Sequence, residues 1–133
     1  MADVTPLIGA DAKIVHSYTQ RGFRISGAEY FGAVVIAGDE VLPLEVKAVT
    51  ELRLPHLGML ENADVTYLVI GCPKSAMLDA ALVAGLKVRG IVAEVMDLGA
   101  ACRTYNVLRA EGRQIAAALI PEGPPESEKP VVF

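Results

Sequence analysis

The sequence predicts a single α/β domain with a mixed sheet: a parallel β-α-β-α-β second half joined to an antiparallel, hairpin-rich first half. Three observations lead there. Of the 133 residues, 53% are hydrophobic but only 5% aromatic, with no Trp. Val, Leu, Ile and Ala must therefore fill the core, as in a sheet covered on both faces. From residue 65 to 120, β-branched runs alternate with segments of helical period, the pattern of parallel strands joined by right-handed crossovers. Before residue 47 the chain shows short strand-like runs punctuated by glycine. A chain of this length makes one core rather than two.

The elements follow in order. Residues 1–12 read as a loose lead-in, and Lys13 to Thr19 as a strand by their β-branched and aromatic content. Phe23-Arg24-Ile25-Ser26 alternates apolar with polar and predicts a short half-exposed strand, ended by Gly27. Tyr30 to Ala37 is almost continuously apolar and predicts one buried strand. Gly38-Asp39 then suits a type II′ hairpin. Pro43 cannot donate to a ladder, so the returning arm, Glu40 to Leu44, is expected to lie at an edge or to be short. Residues 47–63 carry little pattern beyond a short helix starting at Leu54-Pro55.

Val65 to Ile70 is a strand closed by Gly71-Cys72-Pro73. Ser75 is a candidate N-cap for a helix to about Lys87, with Leu78 and Leu82 stacked at i, i+4. Ile91 to Met96 is a strand, Asp97-Leu98-Gly99 a turn and cap, and Ala100 to Glu111 a helix stopped by Gly112. Gln114 to Ile120 is the last strand. The domain is expected to end there. Four of the eight prolines and three glutamates fall in residues 121–133, which predicts a flexible tail.

Charge and composition narrow the partners. Sixteen acidic and twelve basic residues give a net charge of −4. No Lys/Arg stripe of the kind that marks a nucleic-acid binder is present. The longest apolar stretch, Ala76 to Leu86, contains Asp79 and is too short to span a membrane. The first six residues lack the basic and apolar regions of a secretory signal. A cytoplasmic chain with reduced cysteines is the expectation.

Motifs for chemistry are few. There is no phosphate loop of the Walker type and no dinucleotide fingerprint. His16 and His56 lie in different kinds of segment and predict no shared metal or base; no cofactor is expected. Cys72 and Cys102 each follow a parallel strand, where a helix N-terminus can activate a thiol, yet unpaired cysteine is also commonly buried. The densest polar cluster is Asp97 to Asn106, at the carboxyl end of a parallel strand, where open α/β sheets bind ligands. Gly99 leaves amides accessible at a helix start. Arg103 and Asn106, three apart, share a face that suits a carboxylate or phosphate. Each residue has a structural alternative. Asp97 caps the helix, Arg103 pairs with a surface carboxylate, Asn106 bonds a loop, and Tyr105 packs its ring on the sheet.

The same cluster carries a resemblance. Glu94-Val95-Met96-Asp97-Leu98-Gly99-Ala100-Ala101-Cys102-Arg103-Thr104-Tyr105-Asn106-Val107-Leu108, with Glu111-Gly112-Arg113 and Ala116 to Ile120, resembles a family of small uncharacterised bacterial proteins. A mitochondrial member of that family is a respiratory complex I assembly factor. The likeness extends through Gly32 to Leu44 and Leu68 to Gly71. It implies a three-layer α/β fold with the hairpin piece beside the main sheet, no established catalytic activity, and a protein-binding role. Two positions depart from the usual pattern. Cys72-Pro73 stands where Thr-Gly is common, and Leu98 where Thr is common.

A non-catalytic protein-binding or assembly factor, whose partner is another protein, is thus the expected function. The alternative is a small anionic-ligand site or enzyme at the strand ends. For either, the candidate residues are Gly71, Asp97, Gly99, Arg103, Tyr105 and Asn106.

Overall fold

The computed structural model describes residues 13–73, 76–123 and 131–133. The lead-in, Ser75 and the middle of the predicted tail lie outside them. The structure has three layers. Its centre is a five-stranded sheet of β4 (Val34–Ala37), β5 (Glu40–Pro43), β6 (Tyr67–Cys72), β7 (Val92–Asp97) and β8 (Ile115–Leu119), in the order β5-β4-β8-β6-β7. β6 runs parallel to both β7 and β8, while β4 runs antiparallel to β8 and β5. A second, antiparallel sheet contains β1 (Val15–Tyr18), β2 (Gly22–Ile25), β3 (Ala28–Phe31) and β9 (Val131–Val132), in the order β3-β2-β1-β9.

Alternation along the strands sorts the core into two halves. Val35, Leu68, Ile70, Ala116 and Ala118 face one side, against α1 (Ala80–Val88) and Leu52, Leu57 and Leu60. Val34, Ile36, Val69, Ala117 and Leu119 face the other, against α2 (Leu98–Ala110) and Val15, Phe23 and Ile25 of the second sheet. The small side chains of Ala116, Ala117 and Ala118 sit fully buried in β8 between both layers.

The predicted β-α-β-α-β unit is present. The hairpin after β4 keeps two loop residues, with Ala37 opposite Glu40 and Gly38 at φ +60°. β5 lies at the edge, one of the two placements expected of an arm that carries Pro43.

Three expectations change. The apolar run Tyr30 to Ala37 is two strands, not one. Tyr30 ends in β3 of the second sheet and Val34 starts β4 of the central sheet. Gly32, at φ +82°, turns the chain between them. An apolar run carries no mark of which sheet each half will join.

The first crossover helix begins at Ala80, with Leu78 ahead of it. Its cap is Asp79, whose Oδ2 accepts from Leu82 N at 3.2 Å. Asp and Ser cap about equally well, so propensity does not choose between Ser75 and Asp79. Residues 49–62 form 3-10 turns, Val49–Glu51 and Leu54–Asn62, irregular at Leu57. His56 is part of that start, its Nδ1 accepting from Arg53 N at 2.9 Å.

The end of the predicted tail is placed on the second sheet. Val131 and Val132 pair with Tyr18 and Ser17, and the Phe133 ring stacks on Tyr18 at 5.7 Å. Among the described residues no helix is long and apolar enough to cross a membrane.

Candidate functional site

The carboxyl ends of β6 and β7 lie side by side, with Cys72 in register with Asp97, and Gly71 pairs with Leu119 of β8. α2 starts directly from β7. Asp97 is its N-cap: Oδ1 accepts from Ala100 N at 2.9 Å. This satisfies one of the orphan donors of the first turn, and the carboxylate meets the positive end of the helix. Asp97 is nevertheless exposed, so it caps and lines the surface at once.

Gly71 is buried beneath that start. A Cβ there would lie 2.6 Å from Ala101 Cβ and 3.1 Å from Leu98 Cδ1, so its lack of a side chain sets how closely α2 approaches β6. Tyr105 is fully buried, and its hydroxyl donates to Lys13 O at 2.8 Å. Asn106 reads both backbone groups of Val15: Oδ1 accepts from Val15 N at 3.0 Å, and Nδ2 donates to Val15 O at 2.8 Å. Tyr105 and Asn106 therefore fasten α2 to β1.

Gly99, Arg103 and Asp97 do come together. A Cβ on Gly99 would stand 3.3 Å from Arg103 Nη1, 3.7 Å from Asp97 Oδ1 and 3.2 Å from the Tyr18 hydroxyl. The guanidinium of Arg103 is exposed. A cleft of about 220 Å³ opens here, lined by Tyr18, Gln20, Pro73, Asp97, Gly99 and Glu122. Burial raises the pKa of Tyr18 first, the neighbouring Cys102 and Asp97 add to it, and Arg103 opposes. Its phenol thus stays a neutral donor beside a guanidinium, an arrangement that suits a carboxylate.

Sequence reasoning missed Tyr18, Gln20 and Glu122. They lie far from residue 97 in the chain and carry no motif. Two larger hollows adjoin, about 500 and 440 Å³, sharing Lys47, Ile120, Pro121 and Glu122. Ala33, Val46, Val49 and Cys72 supply apolar wall.

Both cysteines are buried and neither is in a disulfide. Burial pushes the Cys102 thiol up to about 12, against a smaller lowering by Arg103. Such a thiol is protonated and no nucleophile at neutral pH. Burial likewise pushes the Tyr105 phenol up to about 12, with Arg109 opposing. Both groups are held neutral in the fold, so they bind protons that the unfolded chain releases at lower pH. The stability they contribute is complete below about pH 8.5, the pKa of an exposed thiol. It is lost as pH rises through about 12. Urea midpoints measured up the alkaline range are expected to fall, and Cys102→Ala to flatten the first part of that fall. An unchanged slope in the variant would remove Cys102 from the account. Among the described residues no cluster of His, Cys, Asp and Glu has the spacing of a metal site.

Over residues 15–120 the chain matches the family described as proteins of unknown function, DUF498/DUF598. It is 35% identical over 111 residues to NADH dehydrogenase (ubiquinone) 1 alpha subcomplex assembly factor 3 of Danio rerio, covering 81% of this chain and 64% of that protein. It is 32% identical over 120 residues to an uncharacterised protein of Rhodobacter capsulatus, covering 84% of this chain and 87% of that one. The solution structure of a Bordetella pertussis protein described as a Mth938-like domain superposes with a TM-score of 0.75 at 23% identity, over 92% of this chain and 93% of that one. That likeness concerns the fold. The chain spans less than two thirds of the length of the assembly factor.

Proposed function

The chain belongs to the DUF498/DUF598 family, and from that premise we propose that it is a non-catalytic protein-binding factor of the cytoplasm that serves the assembly of a respiratory NADH dehydrogenase. The role is that of its relative in Danio rerio, by that protein's name. One observation supports binding over catalysis. At the strand ends Asp97, Tyr105 and Asn106 spend their polar groups on the fold. The same strand ends carry an exposed guanidinium, Arg103, and, separately from it, open and largely apolar hollows around Ile120 and Pro121. Exposed arginine and open apolar surface are both features of protein-binding faces.

A second reading rests on the Tyr18, Gly99 and Arg103 cluster. The cleft lined by Tyr18 and Gly99, with Arg103 close to Gly99 but outside the lining, has room for one carboxylate or phosphate group of a small ligand.

Arg103 separates folding from binding. Arg103→Ala is expected to shift stability by less than about 0.5 kcal/mol, as for an exposed side chain away from special features. Capture of the host's NADH dehydrogenase subunits by the tagged chain is expected to fall about tenfold, a loss of about 1.4 kcal/mol. Arg103→Lys should restore little of it, since an ammonium does not reproduce a planar fork. Failure of the unaltered chain to capture those subunits would end the assembly reading. Full capture by Arg103→Ala would leave the assembly reading standing and take Arg103 out of the interface.

A further inference from the structure

The outer edge of β1, away from β2, is satisfied in two pieces. The pairing of β1 with β2 slips between Val15 and Ser17. A slip of that kind lets two consecutive residues turn their backbone groups the same way. Val15 gives both of its groups to the Asn106 amide. His16 O accepts from Phe133 N at 2.8 Å. Ser17 and Tyr18 stand opposite Val132 and Val131. Hydrogen-bonded positions alternate along an antiparallel ladder, so His16 and Tyr18 are the residues that bond to the tail. Without the last three residues β1 presents an open edge, a template for another strand.

The tail holds that edge on the surface. Val131, Val132 and Phe133 are 41%, 72% and 38% exposed, whereas Phe23 and Ile25 of β2, on the other side of β1, are buried. Among the described residues, neither half of the core contains one beyond Ile120. A segment with so little buried apolar contact opens far more readily than the fold unfolds. Gly123 is fastened beside the end of β1, donating to Gln20 O at 2.7 Å. Seven residues, three of them proline, separate it from Val131. The Phe133 ring stacks on Tyr18 at 5.7 Å. Tyr18 in turn lines the cleft with Asp97 and Gly99. The tail therefore sits directly beside the candidate binding face.

We propose that the outer edge of β1 is a strand-addition site for an extended segment of the partner protein, two β-branched residues followed by an aromatic one, and that Val131-Val132-Phe133 occupies it in cis until that segment displaces it. The inference rests on the protein-binding reading for its partner. Backbone bonds to His16 and Tyr18 give such a segment its affinity, and the aromatic side chain on Tyr18 sets its register. The tail, joined through a short linker, competes at an effective concentration on the order of millimolar. The partner segment overcomes it by contacts beyond the three matching residues, in the adjoining cleft.

The test is an NMR titration with the acetylated tetrapeptide Pro-Val-Val-Phe, the sequence of residues 130–133, read on the His16 and Tyr18 amides. Phe133→Pro in the full chain removes both the N–H that bonds to His16 O and the stacked ring. It touches no core residue. That variant is expected to bind the peptide saturably and about tenfold more tightly than the unaltered chain, whose tail competes. The same peptide ending in Ala should bind more weakly. Phe133→Pro should also capture about tenfold more of the host's NADH dehydrogenase subunits, and excess Pro-Val-Val-Phe should abolish the gain.

The proposal is overturned if the peptide leaves His16 and Tyr18 unmoved in Phe133→Pro, if the unaltered chain binds it as tightly, or if the two peptides bind alike. Equal capture of the subunits by both forms of the chain also overturns it and leaves the assembly reading standing. Capture by neither form ends the assembly reading instead, and the titration alone then decides whether the edge accepts a strand.

Discussion

Asn106→Ala is expected to cost about 3 kcal/mol, because it strands two buried backbone groups at once. Val15 has no exposed surface. Its N–H and its C=O both bond to the Asn106 amide, at 3.0 and 2.8 Å. Asn106→Asp should recover little: a carboxylate accepts from the N–H but turns a second acceptor toward the C=O. Tyr105→Phe, which removes a single bond to Lys13 O, should cost about 1 kcal/mol. Urea unfolding of the three variants gives the order, and hydrogen exchange should show the Val15 amide losing protection in Asn106→Ala. A cost below about 1 kcal/mol, within the range of one ordinary hydrogen bond, would mean that β1 is held by its strand partners and that the amide is available for a ligand.

Gly71→Val is expected to abolish the native fold, and Gly71→Ala to cost about 3 kcal/mol, the upper end for overpacking a filled core. The new Cβ would meet Ala101 Cβ at 2.6 Å, Leu98 Cδ1 at 3.1 Å and Leu119 Cδ2 at 3.2 Å. Real Cβ atoms do not stand that close, so α2 must move off β6. The shift would carry Asp97, Gly99 and Arg103 with it and distort the cleft. A compensating change follows from the geometry. Ala101→Gly removes the nearest obstacle at a helix-propensity cost of about 1 kcal/mol. The pair Gly71→Ala with Ala101→Gly should therefore be more stable than the sum of its singles. Additive costs would place the strain elsewhere in the α2 packing.

Local signals in the chain account for most of the fold. Val65 to Ile70, Ile91 to Met96 and Gln114 to Ile120 read as strands and are strands within two residues. The helix after Asp97, with Gly112 beyond its end, is present because its cap and its stop are set by neighbouring residues. The first half was harder. Gly32 decides that one apolar run serves two sheets, and the run itself looks the same in either case. Residues 49–62 bury Leu57 and Leu60 in a 3-10 segment and Leu52 in the extended link before it, a geometry with neither period 2 nor period 3.6 to betray it.

The candidate residues divide in the same way. By itself the sequence determined that Asp97 and Gly99 start a helix at the carboxyl end of a parallel strand and that Arg103 follows one turn later. These relations are local, fixed by 3.6 residues per turn and by capping chemistry. Only the tertiary structure decided what each side chain meets. Tyr18 arrives beside Gly99 from another sheet. Asn106 finds Val15 across 91 residues. Gly71 is the floor of a helix contact rather than an open cleft residue, and Arg109, unremarkable as the last basic residue of a helix, has its Nε buried without a partner. Contacts between distant segments depend on how whole layers stack. No window of sequence short enough to show a period contains both partners.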